Sequence, residues 1–186
     1  MAESRPDIKC SLMLAKEFGL RLEEIATLRM NQIPKTADDC LSIKGKGGRW
    51  RDIPLSKHQF QILQTIKSYG LSISRGPGDK IIPRDLNKGS VKRTKDAIVH
   101  WIANHRHKFM ERDIDKFKEF QARAEANGYK LKTETLSLHG LRYLFCQENY
   151  KVLVTSGVNP HVARLRCSEG LGHHRIGVTA IYMPER

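Results

Sequence analysis

The chain has 186 residues, 39% of them apolar, and its 33 lysines and arginines against 20 acidic residues leave a formal net charge of +13. That length suits one domain that buries its own core without a disulfide or metal staple, and the composition is not that of a disordered chain. No run of about 18 apolar residues argues for a membrane span, and no basic start followed by an apolar stretch argues for a secretory signal. The four cysteines (Cys10, Cys40, Cys146 and Cys167) form no C-x-x-C pair, which argues against a zinc knuckle and for a reducing, cytoplasmic setting.

In chain order, Leu12, Leu14, Ala15 and Phe18 predict a helix over Lys9 to Phe18, closed by Gly19. Leu22, Ile25, Ala26 and Leu28 predict a second, short helix. Leu41 to Lys44 and Trp50 to Leu55 read as two strands joined by Gly45-Lys46-Gly47-Gly48, a hairpin with a glycine-rich tip. Phe60, Leu63 and Ile66 predict a helix over 56–69 with Ser56 as its cap. Residues 70–87 read as a loop holding the apolar pair Ile81-Ile82. Helices are expected over Val91 to Ala103, Lys108 to Ala126, and Leu138 to Lys151 capped by Ser137. A polar turn around Ser156 to Pro160, a helical piece from Val162 to Arg166 and a short helix over Thr179 to Tyr182 complete the chain. There is no internal repeat and no evident linker, so the expectation is a single α+β domain over 1–186, mainly helical with one small antiparallel hairpin.

The positive charge is uneven. Residues 61–135 carry a net +7, against +3 for 1–60 and +3 for 136–186. Lys88, Lys92 and Lys95 fall at i, i+4 and i+7, the spacing of one helix face, which suits phosphate contact as well as it suits a solvated surface. Arg49 and Arg51 flank Lys46 and read either as phosphate contacts or as charges on a strand edge. Clustered cations bind polyanions through counterion release, so the candidate partners on charge are DNA, RNA or an anionic membrane surface. His100, His105 and His107 lack a completing ligand for a metal site.

Four short motifs carry chemistry. They are FGLRLEEIATLR around Arg21, KGKGGRWRDIPL around Lys46, LSLHGLRYLF with His139 and Arg142 one helical turn apart, and LGHHRIGVTAIY with His173 and Tyr182. Each alone is weak; in this order they resemble the catalytic domain of the tyrosine recombinases, the phage-integrase-type DNA breaking and rejoining enzymes. The segments GKGGRWRDIP and LGHHRIGVTAIY look most like integrases of integrating conjugative or plasmid-borne elements.

The resemblance, over roughly residues 9–183, implies that fold and a catalytic set of Arg21, Lys46, His139, Arg142, His173 and Tyr182. It implies a site-specific recombinase acting through a 3′-phosphotyrosyl intermediate, with no metal, ATP or other cofactor. It also implies a synapse with other protomers and a bacterial or phage origin at the nucleoid. His174 is the alternative to His173 should the turn slip by one. The alternatives for the whole chain are a silent DNA-binding domain of the same fold and a type IB topoisomerase-like enzyme. The family's amino-terminal clamping domain has no counterpart in this sequence. The reading is therefore a catalytic fragment, with an isolated monomer in keeping with the short tail after Tyr182.

The residue types suit the reaction. Two guanidinium groups can fork onto a phosphoryl centre as it gains charge. A tyrosine with a pKa of about 10 must shed its proton to attack, and an alkoxide leaving group must gain one, a task that falls to Lys46. Glu24 reads as a support for the arginine cluster or as a helix cap.

Overall fold

The structure is a computed structural model, and it describes residues 5–73, 78–82, 91–105, 122, 126 and 137–172. Helix α1 spans Pro6–Phe18 and starts earlier than its apolar stripe predicts. Pro6 occupies a first-turn position where no N–H is needed, and Asp7 sits in the same turn, where a negative charge is favoured. Ile8, Ser11, Leu14, Ala15 and Phe18 form its buried face. Gly19 ends it in the left-handed region (φ 60°, ψ 29°). A side chain at Gly19 would also overlap the Phe145 ring and Leu171, so the position needs glycine for conformation and for space.

Helix α2 (Leu22–Thr27) follows after three residues, and a single 3-10 turn (Met30–Gln32) leads toward the hairpin. Strands β1 (Leu41–Lys44) and β2 (Trp50–Ile53) pair antiparallel, with Leu41 opposite Ile53 and Ile43 opposite Arg51. The two-residue period turns Leu41, Ile43, Ile53 and Arg51 to one face, and the three aliphatic side chains there are buried. The tip is a 3-10 turn, Lys46–Gly48.

Helix α3 (Lys57–Ile73) is capped by Ser56, whose Oγ accepts from the Gln59 N–H at 3.2 Å, while Gln59 Oε1 accepts from the Ser56 N–H at 3.0 Å. It runs past residue 69, where the loop was expected to begin. Gly70 does not stop the helix; it makes room for Met30, whose Sδ a side chain there would overlap. The Ile81-Ile82 pair is buried, and the Ile81 N–H donates to Leu28 O at 3.0 Å.

Helix α4 (Val91–His105) packs on α2 and turns Thr94, Ile98, Trp101 and Ile102 inward. Helix α5 (Leu138–Thr155) has the expected cap, Ser137 Oγ accepting from the Gly140 N–H at 2.9 Å, and runs four residues further than expected. Helix α6 (Pro160–Gly170) is longer at both ends than the predicted 162–166. Its start is set by Asn159, whose Oδ1 accepts from the His161 N–H, and by Pro160 in the first turn. The expected helices over 108–126 and 179–182 lie outside the described residues, apart from positions 122 and 126.

The main core joins α1 to α4, the hairpin and the start of α5. A second, smaller cluster of Phe145, Cys146, Cys167 and Leu171 holds α5 and α6 together. Gly19 lies against Phe145 and Leu171, where the two clusters meet. All four cysteines are free, and three are buried.

Candidate active site

Arg21 is the residue before α2, with extended backbone (φ −73°, ψ 154°). Its carbonyl accepts the first bond of α2 from the Ile25 N–H, which makes it the cap position of the helix. Its N–H donates to Glu24 Oε2 at 2.8 Å, and its Nη1 donates to Glu24 Oε1 at 3.0 Å. Glu24 therefore both caps the helix and holds the arginine, the two roles that its spacing from Arg21 suggested.

Two further guanidinium groups reach the same carboxylate. Arg51 of β2 forks it, Nη1 to Oε1 at 2.7 Å and Nη2 to Oε2 at 2.9 Å. Arg142 of α5 brings Nη1 to 3.9 Å from Oε2 and donates to two backbone carbonyls, Gly19 O and, at 2.9 Å, Leu171 O. Glu24 is 2% exposed. Burial pushes its carboxyl up, but the hydrogen bonds and charge of Arg51, the Arg21 N–H and the charge of Arg21 outweigh it and hold the group below the usual carboxylate range.

Three guanidinium groups on one carboxylate leave an excess of positive charge, and the three differ in access. The Arg142 side chain is 2% exposed, that of Arg51 11% and that of Arg21 29%, so Arg21 presents the cluster's charge to solvent.

His139 lies one helical turn before Arg142. Its ring meets Tyr143 edge to face, with centroids 4.9 Å apart. Burial first, then the charges of Arg142 and Arg21, lower its pKa from the ordinary histidine value. Both effects favour the neutral form of the imidazole.

A profile of the phage integrase family matches residues 2–186. The chain belongs to that family. A curated relative, the tyrosine recombinase XerC of Pelobacter propionicus, is 34% identical over 96 residues, 48% of this chain and 30% of that protein. Among solved structures, the XerA recombinase is 14% identical and superposes with a TM-score of 0.59, covering 100% of this chain and 56% of that one. The Tn1549 transposon integrase, solved with circular-intermediate DNA, is also 14% identical, with a TM-score of 0.52 over 99% of this chain and 55% of that one. The chain spans about half the length of those solved chains and shares their fold.

On this phage integrase fold the sequence-expected residues fall as follows. Arg21 and Arg142 come together on Glu24, with His139 within electrostatic reach of both. Lys46 is exposed at the hairpin tip, and Gly45 before it lies against Arg51 and Glu24. Arg49 is exposed beside it. Arg51 differs from both expectations for it: it is neither a solvated edge charge nor turned out toward a phosphate, because it lies on the hairpin's inward face and spends both Nη groups on Glu24. Lys92 is exposed on α4, whereas Lys95 pairs with Glu23 of α2. Lys88, His173 and Tyr182 lie outside the described residues, which end at Gly172; its carbonyl accepts from Arg21 Nη2 at 3.5 Å.

His100 and His105 are occupied locally, His100 with Asn104 and His105 stacked on Trp101. Tyr143 and Tyr150 pack against the smaller core. Strand alternation was the signal for Arg51, since it stands two residues before the buried Ile53 and so shares its face.

Proposed function

We propose that this chain is the catalytic part of a site-specific DNA recombinase that cuts and rejoins duplex DNA through a 3′-phosphotyrosyl intermediate. The observation that carries the reading is the meeting of Arg21 and Arg142, from opposite ends of the chain, on one buried carboxylate, with Arg21 open to solvent. The names of the XerC relative and of the DNA-bound transposon integrase support DNA as the partner.

In this reading the scissile phosphate docks on the exposed side of the arginine pair, where its charge meets the excess of guanidinium. Tyr182 Oη attacks phosphorus, and neutral His139 accepts its proton. The bond from phosphorus to the 5′ oxygen breaks, and Lys46 Nζ protonates the departing oxygen. A tyrosine–phosphate ester remains on the 3′ end and conserves the bond, so attack by a 5′ hydroxyl reverses the sequence and reseals the strand. His173 donates a hydrogen bond to the phosphoryl group. Arg49, Lys92 and the neighbouring Lys88 face the DNA backbone, and strand exchange takes place in a synapse of several protomers.

The test separates cleavage from binding. On nicked duplex carrying the DNA that flanks this chain's coding sequence, Arg142→Ala lowers cleavage by a factor on the order of 10² to 10³ and leaves most non-specific affinity in place. Arg21→Ala, at the most exposed of the three guanidinium groups, does the same. Equal loss of cleavage and binding would contradict the assignment of the pair to the transition state.

A further inference from the structure

We propose that Arg51 is a positioning residue that holds the Lys46 hairpin against the arginine pair. The proposal rests on the recombinase reading above and adds a residue to it.

Arg51 is the sole charged residue among the four paired positions on the hairpin's inward face, opposite Ile43 and two residues from the buried Ile53. Its fork onto Glu24, at 2.7 and 2.9 Å, ties β2 to the start of α2, where Arg21 uses the same carboxylate. A planar guanidinium on both oxygens of a carboxylate fixes angle as well as distance. Two glycine backbones rest on this side chain. A Cβ on Gly45, the residue before Lys46, would lie 3.4 Å from Arg51 Nη1 and 3.5 Å from Glu24 Oε1. A Cβ on Gly172 would lie 3.2 Å from the same Nη1. One side chain thus touches the hairpin tip's base, the helix start that bears Arg21 and the turn after α6. Beyond Gly45 the tip has little to hold it. Lys46, Gly47, Gly48, Arg49 and Trp50 are all exposed, and a side chain at Gly47 would meet nothing within 4 Å. Where Lys46 stands is therefore set at the base of the hairpin, by Arg51. Arg51 is held to Glu24 by both Nη groups, and the role assigned to it is to act through Lys46.

The leaving group provides a readout that a merely structural role would not move. With the ordinary substrate the departing 5′ oxygen needs the Lys46 proton. With sulfur in place of that bridging oxygen, tyrosine oxygen still bonds to phosphorus and the P–S bond breaks. The thiolate, with a thiol pKa of about 8.5, then leaves with the bonding pair and no proton. Cleavage of both nicked duplexes is measured for the wild type, Lys46→Ala, Arg51→Ala and Arg51→Lys. Lys46→Ala is expected to lose a factor of about 10² or more on the oxygen substrate, and Arg51→Ala at least about tenfold. Both are expected to recover to within about threefold of wild type on the sulfur substrate. Arg51→Lys keeps the charge but not the fork; it shows the same pattern at smaller amplitude and serves if Arg51→Ala does not fold. Arg51 variants equally slow on both substrates while Lys46→Ala recovers would overturn the proposal. Failure of Lys46→Ala to recover would remove Lys46 as the acid and the proposal with it. A wild type that cleaves neither substrate would instead overturn the recombinase reading on which the proposal stands.

Discussion

At the scale of single residues, Glu24 is the point on which the site turns. It is buried with three guanidinium groups around it, so Glu24→Gln leaves buried positive charge uncompensated and is expected to cost about 3 kcal/mol, read from the denaturant midpoint. Its carboxyl is held below the ordinary range of about 4.3, so as pH falls through that value the unfolded chain takes up a proton that the folded chain refuses. Stability present above that pH is lost on acidification, and Glu24→Gln should flatten that loss; an unchanged acid limb in the variant would contradict the assignment. His139 works in the same direction at a higher pH. The folded chain resists its protonation below the ordinary value of about 6.5, so NMR titration should place it under that value, and Arg21→Gln should raise it. A titration at or above about 6.5 would contradict the geometry. Arg21 and Arg142 were legible in the sequence because their motifs are local. For Arg51 strand alternation showed the face but not the partner, because Glu24 is distant in the chain.

At the scale of elements, the ends of helices were less legible than their centres. Apolar spacing located α1, α3, α5 and α6, yet each is longer than its stripe; Pro6 sets the start of α1, and Asn159 and Pro160 set that of α6. The helix expected over 56–69 continues through Gly70, which is a packing contact with Met30, a fact no local pattern contains. Ser56 and Ser137 were legible because a cap acts within three residues. Ser56→Ala should cost about 1 kcal/mol by urea denaturation and leave cleavage unchanged, since it serves only the start of α3. Gly19→Ala should do both kinds of damage. It forces φ 60° on a residue with a Cβ and pushes on Phe145 and Leu171, at an expected cost of at least about 2 kcal/mol, and it moves the carbonyl that Arg142 grips. Retained stability and cleavage in that variant would show that the junction of the two cores is looser than its geometry.

At the scale of the whole molecule, family and fold were legible because four motifs occur in order, and no single one would have sufficed. Charge was the coarser signal. A net +13 predicts that affinity for duplex DNA falls by a factor on the order of 10³ between about 50 and 200 mM salt, and a flat response would contradict an electrostatic interface. Among the described residues no helix is long and apolar enough to cross a membrane. The segment richest in cations, 61–135, lies in large part outside the described residues, so which of its lysines face DNA was legible only as a pattern. The central claim is the covalent intermediate, and one measurement meets it directly. The chain is incubated with nicked duplex from the DNA flanking its coding sequence, and the products are run on a denaturing gel beside those of Tyr182→Phe, with binding followed by gel shift. The account predicts a protein–DNA band in the wild type that is lost in Tyr182→Phe while binding is retained. A band that persists without the tyrosine hydroxyl, or a wild type that binds the duplex and forms none, would contradict it.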